Sequence, residues 1–199
     1  MAVSDVLGTK GERTRARLLD VAVRRFAVDG FRRTSVAAVA EESGVTAAAV
    51  YAYFPGKEGL FEAAVDADAA ALISEASADL DDQDLLAGEL RLVTALLLGL
   101  ERHGLARRVL AGQEPEVIDR LLAIPALLEL RSRLAGAIAA GQDAGRVRAD
   151  IDPKVVAVGL ETLTLALLMA RLKVSQGGEE RRRGVEAVFD AALRPPGTA

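Results

Sequence analysis

The stretch from Thr46 to Gly56 carries no charged side chain, although its first residues favour a helix. Val50 and Phe54 lie four residues apart and must share one face of that helix. If that face is buried, the opposite face presents alanines and Tyr51, where a surface helix would normally carry charge. Alanine allows close backbone approach and contact with thymine methyl groups, and a tyrosine hydroxyl can bond a phosphate or a base edge. These residue types suit insertion into a groove of DNA.

Hydroxyl groups and one cation flank this stretch. Ser and Thr hydroxyls near helix N-termini, where backbone N–H groups also point outward, are typical phosphate contacts. Here they belong to Thr34, Ser35 and Thr46, and Lys57 follows at the start of the next predicted helix. In the alternative interpretation, Gly44 makes an ordinary turn and the alanines pack against the rest of the chain. Taken alone, the pattern favours neither interpretation.

Two short predicted helices joined at Gly44 have the arrangement of a helix-turn-helix. The first runs from Ser35 to Ser43 and is capped by Thr34 or Ser35, and the second is capped by Thr46 and ends at Phe54 before Pro55. Alanine and leucine dominate the apolar residues, which predicts an all-α chain of about nine helices. The other predicted helices are about 12–29 with Gly30 as a stop, 57–78, 84–102, 106–112, 115–142 with a kink or break near Pro125, 153–175 and 179–193.

The charge distribution separates two regions. A net charge of -4 over the whole chain argues against nucleic acid as a partner. Residues 1–60, however, contain nine basic and seven acidic side chains, whereas the remainder contains 16 and 22. Six of the seven aromatic residues also lie before residue 62. We therefore expect a DNA-binding domain at 1–56 with about ten flexible residues at its start, a second domain at 57–194 and a disordered tail at 195–199.

Several classes of protein are excluded or disfavoured. The chain has no cysteine and a single histidine, which excludes disulfide scaffolds, thiol catalysis and multi-histidine metal sites. The longest uncharged run is too short to span a bilayer and the N-terminus lacks a signal peptide, so we expect a cytoplasmic protein without membrane association. No nucleophile elbow, dinucleotide-binding glycine pattern or zinc-binding His-Glu-x-x-His motif occurs. An enzyme is therefore disfavoured, and no cofactor or metal is expected.

A longer series of motifs decides between the two interpretations of the helix-turn-helix. The motifs are Thr14-Arg-Ala-Arg-Leu-Leu-Asp-Val-Ala, Phe26, Gly30-Phe31, Thr34-Ser35, Val39-Ala40, Ser43-Gly44-Val45, Tyr51-Ala-Tyr53-Phe54 and Lys57-Glu58-Gly-Leu60. In order and spacing, they resemble the DNA-binding domain of TetR-family transcriptional regulators over about residues 12 to 65. The rest of the chain resembles the family only in helix count, in length and in the predicted helix end at Gly145 and helix start at Asp152-Pro153.

The resemblance implies a homodimeric repressor on a palindromic DNA operator, with a small-molecule inducer bound by the second domain. By position, it implies contacts to the DNA backbone from Thr34, Ser35, Thr46, Tyr51, Tyr53 and Lys57, with Ala47, Ala48 and Ala52 facing bases. Many family members carry longer polar side chains at such positions, so hydrogen-bond readout should be sparse here. Specificity would then depend on methyl contacts, DNA shape or the basic residues Lys10, Arg13 and Arg17.

The second domain is expected to form the dimer and to bind the effector. Helices 153–175 and 179–193 are apolar enough to form a four-helix interface with a second subunit, or alternatively to cover their own core. Trp and Tyr are absent after residue 60, which favours a small apolar or weakly polar effector. A ligand-independent regulator or an activator remains the alternative. The candidate ligand-binding residues are Thr94, Leu98, His103, Thr162 and Met169.

Overall fold

The computed structural model describes residues 9–78, 85–173 and 178–195. Within these ranges, the chain contains nine α-helices, one 3-10 helix and no β-strand, which confirms the predicted all-α class. Residues 1–8 and 196–199, which cover most of the predicted flexible ends, lie outside the described ranges. The α-helices are α1 (Lys10–Arg33), α2 (Val36–Glu42), α3 (Ala47–Tyr51), α4 (Gly56–Ser77), α5 (Leu85–Gly99), α6 (Gly104–Leu110), α7 (Pro125–Asp143), α8 (Pro153–Lys173) and α9 (Gly178–Leu193), and the 3-10 helix is Pro115–Ala123.

Side chains that the sequence indicates as caps begin three of these helices. The Ser35 hydroxyl accepts a hydrogen bond from the N–H of Ala38 at 3.1 Å, and the Thr46 hydroxyl accepts one from Ala49 at 3.2 Å. The Asp152 carboxylate accepts a hydrogen bond from the N–H of Lys154, the second residue of α8, at 2.8 Å. Each cap satisfies a backbone donor that has no partner inside its helix, and so fixes where the helix begins.

Three helix boundaries differ from the predictions. At Gly30 the backbone leaves helical angles, with φ 77° and ψ 173°, but one more turn follows before Arg33. The second helix of the helix-turn-helix ends at Tyr51 rather than Phe54. The predicted helix 115–142 is a 3-10 helix up to Ala123 and an α-helix only from Pro125, which stands in its first turn.

The chain divides into two compact units. The first unit comprises the residues up to Ala69 together with His103–Asp119, and the second comprises Ala70–Arg102 and the residues from Arg120 onward. This division differs from the predicted domain boundary after Gly56. The unit that contains the helix-turn-helix also takes in the start of α4 and the whole of α6.

The core of the first unit forms around α1. Phe26 of α1 is fully buried, and its ring centroid lies 4.8 Å from that of Phe61. The ring of Phe31 lies 4.9 Å from Phe61 in turn. Helix α6 packs along α1 and contributes the buried side chains Leu105 and Val109.

The core of the second unit lies among α5, α7, α8 and α9. Ile138 of α7, Leu160 of α8 and Phe189 of α9 belong to one buried cluster. Among the described helices, α8 is long and apolar enough to cross a membrane. Core helices of soluble proteins also reach this length and hydropathy, so the finding is weak evidence for a membrane span. Glu161 of α8 is buried in an ion pair with Arg131 of α7, which compensates the carboxylate for its lost hydration.

Candidate nucleic-acid interface

A tight turn joins α2 to α3. Gly44 has a φ of 65°, which a residue with a side chain rarely adopts, and its N–H donates to the carbonyl of Glu41 at 3.0 Å. The next residue, Val45, donates its N–H to the carbonyl of Ala40, also at 3.0 Å. These bonds close the end of α2 and let α3 begin two residues later. The local sequence therefore folds into the predicted helix-turn-helix.

The face of α3 that was predicted to be inside is buried. Val50 is fully buried and Phe54 is 2% exposed. Val39 and Ala40 of α2 are buried as well, and α2 packs against both α1 and α3. Burial of these apolar side chains holds α3 in a fixed orientation on the first unit.

The opposite face of α3 and its C-terminal cap is open and uncharged. Ala48 and Ala52 are exposed, and Ala47 is half-buried. Tyr51 is 58% exposed and is a large side chain on a surface otherwise made of small residues. This surface offers close backbone approach, methyl contacts and one phenolic hydroxyl, as the sequence predicts for a helix that enters a groove of DNA.

The three predicted hydroxyl contacts are not equivalent. Ser35 and Thr46 are exposed, and since each hydroxyl oxygen accepts a backbone N–H, its own O–H can still be donated to a phosphate. Thr34, in contrast, is 4% exposed and donates its hydroxyl to the carbonyl of Gly30 at 2.9 Å. The structure therefore uses Thr34 inside the fold, whereas the sequence places it on the DNA backbone.

Lys57 and Tyr53 are also engaged within the protein. The Lys57 ammonium donates to the carbonyl of Arg32 at 3.3 Å and lies 4.5 Å from the ring centroid of Phe31. Tyr53 is half-buried, and its hydroxyl lies 3.8 Å from where a Cβ on Gly11 would stand. The Lys57 side chain thus connects the start of α4 to the end of α1, and the Tyr53 hydroxyl lies near Gly11.

Charged side chains on α1 complete this surface. The Arg15 guanidinium lies 5.1 Å above the ring of Phe54, next to the end of α3. Arg25 Nε binds Glu42 of α2 at 2.6 Å, and Arg24 binds the same carboxylate at 3.2 Å. These hydrogen bonds, that from Arg25 first, hold the pKa of Glu42 below its ordinary value. The paired carboxylate therefore stays ionised and joins α1 to α2.

The structure places the five candidate ligand-binding residues in both units. His103 belongs to the first unit, with its Nδ1 2.9 Å from the buried carboxylate of Asp68, whereas the other four belong to the second unit. Thr94 and Leu98 of α5 are exposed, and the exposed Thr162 donates its hydroxyl to its own helix at Val158. Met169 is half-buried.

Sequence reasoning missed the contribution of the segment 103–119. The N–H of Ala106 in α6 donates to the buried Asp68 of α4 at 2.8 Å. Glu114, which follows α6, is 2% exposed and accepts a hydrogen bond from the N–H of Phe31. A buried carboxylate next to a run of apolar residues is a weak signal in a sequence, and the partners lie far away along the chain.

Comparisons with known proteins agree with this geometry. Residues 18–64 match the model of the family described as bacterial regulatory proteins, tetR family. The nucleoid occlusion factor SlmA of Sodalis glossinidius is 33% identical over 105 residues, which is 52% of this chain and 53% of that protein. The chain thus matches about half the length of these relatives.

Solved structures share the fold over nearly the whole chain. A chain described as a TetR-family transcriptional regulator from Rhodococcus sp. has a TM-score of 0.71 at 23% identity, covering 92% of this chain and 99% of its own. The fatty acid degradation regulator FadR from Bacillus halodurans has a TM-score of 0.64 at 18% identity, covering 92% and 96%. Residues 18–64 therefore match the model of the tetR family of bacterial regulatory proteins, and the chain shares the fold of these solved structures over nearly its whole length.

Proposed function

We propose that this protein is a DNA-binding transcriptional regulator that acts in the cytoplasm as a homodimeric repressor and leaves its operator when a small molecule binds its second unit. The observation that carries the DNA-binding function is the outer face of α3. It is exposed and uncharged, and it lies on a helix whose other face is fixed in the core by Val50 and Phe54. A groove of DNA explains such a face, because close approach requires small side chains.

The proposed DNA contacts follow from exposure. Ser35, Thr46 and Tyr51 contact phosphates or base edges with their hydroxyls, and Ala48 and Ala52 face bases. Ala47 and Tyr53 stand at the margin of this contact because both are half-buried. Basic side chains on the first turns of α1 supply the long-range attraction to phosphate.

The proposed dimer uses the outer faces of α8 and α9. Val158 of α8 is 45% exposed and Val188 of α9 is 51% exposed. An open groove of about 290 Å³ runs between the two helices and is lined by Arg181 and by apolar and small residues, among them Ala166, Ala170 and Gly184. Small residues allow helices of a second subunit to approach closely, and twofold symmetry would present two α3 helices to a palindromic operator.

The proposed effector is small and apolar or weakly polar. Among the described residues of the second unit, helix faces are rich in leucine and alanine and carry no tyrosine or tryptophan. Compounds from a small-molecule library that raise the Tm of the protein should include some that release bound operator DNA. Compounds that bind and leave operator affinity unchanged would favour a ligand-independent regulator, and increased transcription from the operator would favour an activator.

Selection of bound fragments from a random double-stranded DNA library tests the DNA-binding function directly. The expected result is an enriched, palindromic motif whose binding constant falls steeply as the salt concentration rises. Failure to enrich any motif at low salt would contradict the proposal and would reopen the possibility of a helical enzyme.

A further inference from the structure

A buried carboxylate from outside the helix-turn-helix holds the end of α1. Glu114 is 2% exposed, and its Oε2 accepts a hydrogen bond from the N–H of Phe31 at 3.1 Å. Its Oε1 accepts from Nε of Arg108 at 2.8 Å and lies 2.7 Å from another guanidinium nitrogen of the same side chain. Because the carboxylate is enclosed, it has no route to contact DNA itself.

The break at Gly30 explains why this carboxylate is needed. With a φ of 77° at Gly30, the helix is interrupted, and the turn that starts at Phe31 has lost the carbonyl that would accept its N–H. Glu114 supplies the missing acceptor, as a capping side chain does at the start of a helix. The Arg108–Glu114 ion pair also lies so close to Gly30 that it leaves no room for a side chain there. A Cβ on Gly30 would stand 2.5 Å from Arg108 Nη2 and 2.7 Å from Glu114 Oε1.

The far side of this turn leads directly into the helix-turn-helix. Residues 30–34, which we call the corner, end where the N–H and the hydroxyl of Thr34 both donate to the carbonyl of Gly30, at 3.3 and 2.9 Å. The next residue, Ser35, is the cap of α2. The direction in which α2 leaves α1 therefore depends on the conformation of the corner.

We propose that Glu114 is a positioning residue for DNA binding: together with Arg108 it fixes the corner and thereby the orientation of α2 and α3. The inference rests on the DNA-binding function proposed above. Without Glu114 the corner samples other conformations, so α3 spends only part of the time in the binding orientation. The operator affinity is then reduced in proportion to that fraction of time.

The test compares Glu114→Ala with Glu116→Ala on the operator fragment selected by the wild-type protein. Glu116 lies in the same segment and forms an exposed ion pair with Arg32, so both variants remove one negative charge from one region. We expect Kd for the operator to rise by about tenfold or more for Glu114→Ala and by less than about threefold for Glu116→Ala. Glu114→Gln, which keeps one acceptor oxygen, should lie between the wild type and Glu114→Ala.

Two further measurements separate positioning from stability and from direct contact. The Phe31 amide should exchange with solvent faster in Glu114→Ala, while amides in the core of α8 keep their wild-type protection. The slope of log K against log salt should stay at its wild-type value, whereas Arg17→Ala, which removes an exposed cation of α1, should reduce it. Where Glu114→Ala does not fold, Glu114→Gln against Glu116→Gln gives the same comparison.

The inference is overturned if folded Glu114→Ala, or Glu114→Gln in its place, binds the operator as tightly as the wild type, or if the Glu116 variant loses as much affinity. A reduced salt slope in Glu114→Ala would also overturn it, since that result means a lost DNA contact. A wild-type protein that selects no DNA contradicts the proposed function instead, so the two failures are distinguishable.

Discussion

Tyr51 is the largest exposed side chain on the outer face of α3 and would make most of that face's contact with DNA. Among the described residues of α3, its neighbours on that face are alanines, which provide methyl contacts and little else. Its 58% exposure means that the ring contributes little to the core, so its removal should leave the fold intact.

We expect Tyr51→Ala to weaken operator binding by about tenfold to a hundredfold per dimer, because two rings and two hydroxyls leave the interface. Tyr51→Phe removes only the hydroxyl and should cause a smaller loss. Fluorescence anisotropy with labelled operator gives the affinities, and circular dichroism checks that Tm is unchanged. Wild-type affinity in Tyr51→Ala would mean that α3 does not face the DNA. Lys57→Ala is less informative, since Lys57 also contacts Arg32 and Phe31.

Gly30 is expected to tolerate no other residue. Gly30→Ala combines a positive φ with a Cβ that overlaps the Arg108–Glu114 pair, and should lower the free energy of unfolding by about 2 kcal/mol or more. Gly136→Ala is the matched control, because Gly136 lies exposed inside α7 with open space around it; it should raise stability by about 0.5–1 kcal/mol. Urea unfolding measures both changes. Equal stability of the two variants would contradict the described conformation of Gly30.

At the scale of elements, α1 and α2 are joined by the ion pairs of Glu42 as well as by apolar packing. Since the pKa of Glu42 is lower in the folded protein than in the unfolded chain, its ion pairs stabilise the fold above the ordinary glutamate pKa. This contribution is lost as the pH falls through the lowered pKa of the folded state.

We therefore expect Glu42→Gln to lower Tm at pH 7, and we expect the difference from the wild type to shrink as the pH falls below the ordinary glutamate pKa and through the lowered pKa of Glu42. Glu41→Gln is the control, because Glu41 lies exposed on the same helix without a comparable ion pair among the described residues. A Tm difference for Glu42→Gln that does not change with pH would show that the carboxylate stabilises the protein by some other means.

The sequence predicts those elements whose boundaries depend on neighbouring residues. Ser35, Thr46 and Asp152 act as caps where the sequence places them, and Val50 and Phe54 are buried as their spacing requires. The turn after Gly30 could not be predicted in this way, because the acceptor for its first N–H comes from Glu114, 83 residues later. Local patterns carry no information about such a partner.

The same limit applies to the candidate sites. The exposed face of α3 follows from helical periodicity, which is local. Lys57 has a side chain of a suitable type, but tertiary contacts direct it to Arg32 and Phe31. Thr34 donates its hydroxyl to the carbonyl of Gly30, which lies only four residues earlier. The candidate ligand residues lie in or beside apolar stretches of the sequence, and such stretches do not specify which helix faces meet.

At the scale of the whole molecule, the dimer proposal makes a measurable prediction. The variants Val158→Glu and Val188→Glu each place a charge in the proposed α8–α9 interface, where it would have to be desolvated. Either variant should therefore shift the protein towards monomer at micromolar concentration. Operator affinity should fall with it, because both half-sites must be occupied together. Analytical ultracentrifugation gives the oligomeric state.

Val28→Glu provides the control for that experiment. Val28 is 72% exposed on α1, so the substitution adds the same charge away from α8 and α9 and should leave the sedimentation coefficient unchanged. If the Val158 and Val188 variants sediment as the wild type does, any dimer must use another face.

The segment 103–119 belongs to the first unit although α5 precedes it and α7 follows it in the second. A chimaera that joins residues 1–69 of this protein to a second domain from another protein would therefore lack Leu105 and Val109 in its core. The N–H of Phe31 would also lose its acceptor, Glu114. Under the proposed function, we expect an exchange of effector domains to succeed only if the donor supplies a compatible α6. The first unit is thus discontinuous along the sequence, and a single crossover point cannot transfer it.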